Sequence, residues 1–150
     1  MSMTRLPIVD LLGSSTPLAG VEVLAWVKTK REGKGFSFLE VNDGSCLKNL
    51  QVVVDGSLPE SEILAKVHTG ASVRVMGDLV ESLGKGQKWE LKAKTIELVG
   101  FADAELYPLQ KKRHSDEFLR TIAHLRPRTN KYSALNRSRS EMSFAVHQYF

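Results

Sequence analysis

The stretch KGFSFLEVNDGSCLKNLQVVVD, residues 34–55, decides the fold of this chain. Apolar and polar residues alternate on both sides of an Asp-Gly pair, which is a strong turn signal, so the pattern predicts two neighbouring β-strands. In the first of these strands Phe36 and Phe38 fall on the side of charged Glu40 and not on the aliphatic side. We therefore expect two aromatic rings on a polar face, where packing of a core does not require them.

The same period of two continues along the chain and is interrupted by one helical segment. Strands are predicted in 21–30, 36–41, 50–55, 72–82 and 88–101. Residues 59–70, PESEILAKVHTG, begin with Pro and two acids and end on Gly, which is typical of a short helix. Three strands, a helix and two strands is the order of an OB-fold. We expect this all-β fold, a five-stranded Greek-key barrel with a helix between strands three and four, followed by a C-terminal helical extension.

The segments around the predicted barrel have different patterns. Residues 1–19 are predicted to form an N-terminal arm with at most one helical turn, and residues 20–103 form the barrel. Residues 104–132 are predicted as a linker that contains a helix with Ser115 as its N-cap. An apolar stripe in residues 133–150 reaches the last residue with no helix stop signal, so we expect that segment to be the truncated start of a further domain.

Composition and charge narrow the class of protein. The chain has 150 residues, a net charge of +4 and a single cysteine, Cys46, which excludes an internal disulfide and fits a reducing compartment. No apolar run approaches the roughly 20 residues that span a bilayer. Basic residues cluster at 28–34, at 85–94 and from 111 onward, a distribution that attracts a polyanion. We expect a cytoplasmic protein that binds nucleic acid and no membrane.

The residues alone indicate neither a catalytic site nor a metal site. The four histidines have no ligand-like spacing and Cys46 has no partner, so no metal ligand is predicted. The two GKG segments do not match a phosphate-binding P-loop. No Ser/His/Asp or Cys/His constellation is visible. We therefore assign no catalytic residue and no metal ligand to this chain.

A binding face is better supported. The outward positions of the predicted barrel combine rings, an amide and charges, and OB-folds bind single strands on the face of strands two and three. Exposed rings beside cations are the groups on which unpaired bases stack. The candidate contacts are Phe36, Phe38, Gln51 and Glu90, with Lys28, Lys30, Lys34 and Lys92 as candidates for phosphate. The alternative is that the two rings cap the open end of the barrel.

Residues 21–55, VEVLAWVKTKREGKGFSFLEVNDGSCLKNLQVVVD, resemble the anticodon-binding barrel of the aspartyl, asparaginyl and lysyl group of class II aminoacyl-tRNA synthetases. Residues 107–130, YPLQKKRHSDEFLRTIAHLRPRTN, resemble the segment that joins barrel and catalytic domain in the asparaginyl member. The resemblance implies a tRNA with an asparagine anticodon as partner. It implies further that Phe38 stacks on the middle base and that Gln51 reads this base as uridine. It also implies that Arg31, which closes the first strand, binds the anticodon, and that Glu90 lies near a first base that is G or its modified form.

The same resemblance concerns the activity of a longer parent. Residues 135–150, LNRSRSEMSFAVHQYF, resemble the helix that opens the first class II motif, which is a dimer element. The motifs that hold ATP are absent from the sequence. We therefore expect an ATP- and magnesium-dependent, homodimeric asparagine–tRNA ligase as the parent, and a chain that by itself is inactive and needs no cofactor. The alternatives are a free-standing OB module that binds single strands, and a module that promotes subunit assembly.

Overall fold

Five strands close into a barrel in the computed structural model, which describes residues 4–59, 61–84 and 86–150. Glu60, predicted in the first turn of the helix, and residues 1–3 of the predicted arm lie outside the described residues. The chain divides into two compact units, residues 1–110 and 111–150. The predicted boundaries at 103/104 and 132/133 stay predictions.

The first unit contains eight elements. These are β1 (Thr4–Arg5), α1 (Ile8–Gly13), β2 (Leu18–Glu32), β3 (Phe36–Asn42), β4 (Leu50–Asp55), α2 (Ser61–Leu64), β5 (Ser72–Glu81) and β6 (Trp89–Gly100). The strand order is β1-β2-β3-β4-β6-β5, and β2 pairs with β5 as well. This second pairing closes the barrel, because β2 is 15 residues long and pairs with β5 through its first half and with β3 through its second. The predicted OB-fold is confirmed.

The interior follows the predicted alternation. The inward residues of β4 and β3 are fully buried, and those of β2 are at most 6% exposed: Leu50, Val52, Val54, Leu39, Val41, Val21, Val23, Ala25 and Val27. Each buried Val or Leu contributes roughly 1.5–3 kcal/mol to folding, and the aliphatic faces can avoid water only on the inside of a closed sheet. The outward residues of the same strands therefore do not contribute to this core.

The segment before β2 belongs to the barrel unit. Ile8 and Leu11 are completely buried in the barrel's core, and β1 pairs in parallel with the start of β2. The indole Nε1 of buried Trp89 donates to the carbonyl of Ser14 at 3.0 Å. The sequence pattern of an arm misses this docking, because each contact joins residues that lie far apart in the chain.

The helix between β4 and β5 is much shorter than predicted. α2 has four residues, whereas the pattern predicts a helix over 59–70. Successive turns follow it, with Lys66 and Val67 donating backbone hydrogen bonds to Ile63 and Leu64. The buried side chains of Leu64 and Val67 belong to the hydrophobic core. The chain then reverses at Gly70, whose φ of +92° favours glycine, and enters β5.

The second unit is helical. It contains α3 (Asp116–Thr121), a 3-10 helix (Ala123–Arg128) and α4 (Asn130–Tyr149). Ser115 caps α3 as predicted, since its hydroxyl accepts the N–H of Phe118 at 3.2 Å. α4 begins four residues before the start near Ala134 that the apolar pattern predicts. In the described part of the chain, no helix has the length and apolar character needed to cross a membrane.

Candidate nucleic-acid interface

A bulge in β2 determines which basic residues share a face with the aromatic rings. The register with β3 shifts between Val27 and Thr29, so Lys28 is the extra residue. Beyond the bulge, Arg31 pairs with Phe38 and Lys30 pairs with buried Leu39. The strict alternation that places Lys28 and Lys30 in one outward row is therefore wrong for this end of the strand, because a bulge exchanges the two sides.

Two cross-strand rows bring the predicted contacts together on the outer surface of β2, β3, β4 and β6, here called the four-strand face. Directly paired residues project from the same side of a sheet. The first row is Arg31–Phe38–Val53–Lys92 and the second is Thr29–Glu40–Gln51–Glu90. The four residues that the resemblance assigns to the anticodon therefore lie in adjacent rows, although they are up to 59 positions apart in the sequence.

The rings lie outside the core. Phe36 is 42% exposed and Phe38 is half-buried, and the core cluster of the described residues contains neither. A Cβ on Gly33 would approach Cε2 of Phe38 to 3.3 Å, so a glycine there leaves room for this ring. The alternative that the rings fill the open end of the barrel is not favoured, because both pair with residues on the outer side of β4.

A hydrogen-bonded chain orients the polar groups of the second row. The amide Nε2 of Gln51 donates to Oε2 of Glu90 at 3.5 Å, the limit for such a bond, and the hydroxyl of Ser82 donates to the same oxygen at 2.8 Å. A carboxylate only accepts, so the amide nitrogen of Gln51 points toward Glu90. Among the residues that the structure describes, no group bonds to the amide oxygen of Gln51 or to its second N–H, so both can contact a ligand.

The cations around the face are not equivalent. Arg31, Lys34 and Lys92 are exposed, and Lys28 is half-buried at the bulge. Lys30 is only 15% exposed: its ammonium donates to the carbonyl of Leu64 at 2.6 Å and pairs with Glu32 at 2.9 Å. The hydrogen bond and charge of Lys30 lower the pKa of Glu32. Exposure therefore favours Lys34 and Lys92 over Lys30 as phosphate contacts, and exposed Arg31 is a further candidate. The phosphate assignments of Lys28, Lys30, Lys34 and Lys92 stay predictions.

Two further residues belong to this site, and the sequence pattern does not predict them. Ser82 and Gln87 lie in the connection between β5 and β6: Ser82 donates to Glu90, and the amide of Gln87 donates to the hydroxyl of Ser82. The available signal was weak: Ser82 precedes Gly84 by two residues, as in a side-chain turn, and the hydroxyl does accept the N–H of Gly84. Within the described ranges, no group of three His, Cys, Asp or Glu side chains could hold a metal ion.

Comparisons with known proteins identify the same OB-fold. A family described as "tRNA_anti-codon: OB-fold nucleic acid binding domain" matches residues 21–99. The chain is 57% identical over 148 residues to an asparagine–tRNA ligase of Nitratidesulfovibrio vulgaris, which covers 99% of this chain and 32% of that protein. The same identity and coverage hold for an asparagine–tRNA ligase of Oleidesulfovibrio alaskensis. The chain thus spans about a third of the length of these curated relatives.

A solved structure extends the comparison to three dimensions. The asparaginyl-tRNA synthetase of Entamoeba histolytica superimposes with a TM-score of 0.79 at 18% identity, over 99% of this chain and 35% of that one. At this identity the likeness supports the fold. The family match over residues 21–99 takes in the whole barrel from the core of β2 to the end of β6. This chain belongs to the tRNA anti-codon family of OB-fold nucleic acid binding domains.

Proposed function

We propose that this chain is the anticodon-binding part of an asparaginyl-tRNA synthetase and that its four-strand face holds the anticodon of an asparagine tRNA. The ligase activity, the ATP and magnesium that it uses, and the homodimer belong in this proposal to the full-length parent, a cytoplasmic enzyme. The curated relatives support this division, because they are asparagine–tRNA ligases and the chain matches about a third of their length. The chain alone is expected to bind tRNA without activating asparagine.

One observation carries the proposal: a ring, an amide and a carboxylate from three neighbouring strands lie in adjacent rows of one outer face. Phe38 supplies a stacking surface for the middle base, and Gln51 lies one row away. Stacking secures an unpaired base, and hydrogen bonds to its edge identify it. The exposed cations Arg31, Lys34 and Lys92 surround this set and would neutralise phosphates along the loop.

The edge of uridine fits the groups that Gln51 leaves open. Uridine presents a donor, N3–H, between two carbonyl acceptors, and an amide offers one acceptor and one donor side by side. The amide oxygen of Gln51 can accept N3–H while its second N–H donates to a uridine carbonyl. When that carbonyl is O4, cytidine has an unprotonated N3 and an amino group at these two positions, so a Gln51 amide in the orientation that Glu90 favours forms neither hydrogen bond.

Replacement of Phe38 tests the proposal. Phe38→Ala should weaken binding of an asparagine anticodon stem-loop by roughly 1–3 kcal/mol, the usual contribution of one base–aromatic stack. The loss should be nearly equal for stem-loops with U or C in the middle, because every base has a face on which a ring can stack. The measurement is fluorescence titration of both stem-loops at one fixed salt concentration.

Phe101→Ala is the matched control, since Phe101 is 64% exposed and lies outside the two rows. It removes a ring of the same size and should leave binding unchanged. Circular dichroism must show that both variants keep the barrel. A folded Phe38→Ala protein that binds as tightly as the parent would exclude the anticodon assignment of this face.

A further inference from the structure

Ser82 occupies a fixed position beside the four-strand face. It is the first residue after β5, and its backbone N–H donates to the carbonyl of Lys88 at 3.0 Å, which closes the connection to β6. Glu90 lies on β6, two residues after Lys88, and it pairs with Gln51 of β4. The backbone of Ser82 is therefore anchored to the strand that carries Glu90.

The hydroxyl of Ser82 has every hydrogen-bonding position assigned. It accepts the N–H of Gly84 at 3.1 Å and the amide Nε2 of Gln87 at 3.0 Å. A hydroxyl oxygen has two lone pairs and one hydrogen, so these two donors occupy the acceptor positions. The hydrogen is directed to the remaining partner, Oε2 of Glu90, at 2.8 Å.

The two oxygens of Glu90 are therefore used differently. Oε2 accepts from both Ser82 and Gln51. Among the residues that the structure describes, no side chain or backbone group donates to Oε1. A carboxylate with one oxygen held by the protein presents the other in a fixed direction to an N–H of a base. Guanine offers N1–H and a 2-amino group on its Watson–Crick edge, whereas N1 of adenine carries no hydrogen.

We infer that Ser82 is a specificity-determining positioning residue, which holds Glu90 so that Oε1 faces the base at the first anticodon position. Ser82 itself does not touch the base. The inference rests on the proposed function and adds the means by which the carboxylate is oriented. A carboxylate released from Ser82 can rotate about its side-chain bonds, and the hydrogen bond to the base then has to order it.

The test uses the full chain and anticodon stem-loops with G, inosine or A in the first position. For the parent protein, we expect G to bind more tightly than A. In Ser82→Ala this G-to-A ratio should fall roughly tenfold, as expected for loss of the orientation of one charge-assisted hydrogen bond. Ser82→Thr keeps a hydroxyl at the same position and should restore most of the ratio, which a purely structural defect would not do.

A second background shows whether Ser82 acts through Glu90. In Glu90→Gln the oriented carboxylate is absent, so addition of Ser82→Ala should change the ratio by less than about twofold. Ser14→Ala is the matched control: its hydroxyl also accepts the N–H two residues on, from Thr16, and among the described residues the hydrogen bonds of this hydroxyl go to Thr16 and not to Glu90. This control should leave the ratio unchanged.

The outcomes separate this inference from the proposed function. A parent protein that binds the stem-loops without preference for the asparagine anticodon contradicts the proposed function. A parent with a clear G-to-A preference that Ser82→Ala retains overturns the role of Ser82 and leaves the proposed function intact. Equal effects of Ser82→Ala in the parent and in the Glu90→Gln background would also overturn it, because Ser82 would then act by another route.

Discussion

Gln51 is the outward residue to which the proposed function assigns recognition of the middle base. Its amide is held toward Glu90, and Glu90 is held by Ser82, so its remaining donor and acceptor have fixed directions. We expect Gln51→Ala to reduce the preference for U over C at the middle anticodon position more than it reduces overall affinity. The reason is that stacking on Phe38 remains, while the groups that distinguish the two bases are removed.

The measurement is the ratio of dissociation constants for stem-loops with U and with C, for the parent and for Gln51→Ala. The ratio corresponds to a difference in binding free energy between the two stem-loops. Loss of a discriminating hydrogen-bond pair is expected to reduce this difference by about 1–3 kcal/mol. The outward neighbour Val53 supplies the control, since Val53→Ala changes the same strand without removing a polar group. An unchanged ratio in folded Gln51→Ala would show that another residue reads the middle base.

At this scale the sequence predicts the direction of side chains well and their neighbours poorly. The outward position of Phe38 and the inward position of Leu39 follow from a period of two, which any regular strand imposes. The position of Lys30 does not follow, because the bulge at Lys28 is a property of the pairing between strands. Ser82 could not be identified either. Its contact with Glu90 depends on how the connection between β5 and β6 folds back, and the sequence pattern does not predict this.

The connection between β3 and β4 does more than reverse the chain. The carboxylate of Asp43 accepts the N–H of Ile8 at 2.8 Å, and the hydroxyl of Ser45 accepts the N–H of Val9 at 3.0 Å. These bonds cap α1, whose own N-cap residue, Pro7, provides no side-chain cap. The sequence indicates the turn through its Asp-Gly pair, but the cap joins residues 35 positions apart and is not visible in any local pattern.

The cap makes the docking of α1 dependent on pH. Burial raises the pKa of Asp43, but hydrogen bonds from Ser45 and from the N–H of Ile8 outweigh this effect and lower the pKa below its usual value. The ionised carboxylate of Asp43 therefore stabilises the fold fully above the pKa of this residue in the unfolded chain, about 3.8. This stabilisation is lost as the pH falls through the lower pKa that Asp43 has in the folded protein. At pH 7, Asp43→Ala should reduce stability by about 0.5–2 kcal/mol, the usual range for removal of a helix cap.

Amide exchange of residues 8–11 and chemical denaturation followed by Trp89 fluorescence measure this effect. The difference in unfolding free energy between the parent and Asp43→Ala should shrink as the pH is lowered through the pKa of Asp43 in the unfolded chain, about 3.8, toward its lower folded pKa, because the unfolded chain takes up the proton first. Asp103→Asn serves as a control, since Asp103 accepts two backbone N–H groups in a turn outside α1. A difference that stays constant with pH would show that Asp43 acts through packing and not through its charge.

Charge is divided unequally between the two units of the molecule. Residues 111–150 contain nine Lys or Arg against three Asp or Glu, a net charge of +6, whereas residues 1–110 contain twelve against fourteen, a net charge of −2. The unit that contains the barrel is therefore slightly acidic, and Glu40 and Glu90 lie on its four-strand face. If the proposed function is right, we expect carboxylates on that face to contact base edges, and we expect the helical unit to supply most of the long-range attraction to phosphate.

The triple variant Lys111→Gln, Lys112→Gln, Arg113→Gln tests this division in the full chain, because all three side chains are exposed. We expect weaker binding of a complete asparagine tRNA and a slope of log K against log salt that is smaller by about 1 for each phosphate that is no longer neutralised. The preference for the asparagine anticodon should not change, since phosphate contacts carry no base identity.

The matched control neutralises Arg5, Lys48 and Lys66, which are equally exposed in the barrel unit. Both triple variants alter the net charge by the same amount, so any effect of net charge alone is common to them. A larger decrease of salt dependence at 111–113 than in the control would show that the helical unit contributes phosphate contacts, beyond those proposed for Arg31, Lys34 and Lys92. Equal slopes for the two variants would contradict the division, because tRNA would then respond only to the total charge and not to where that charge lies.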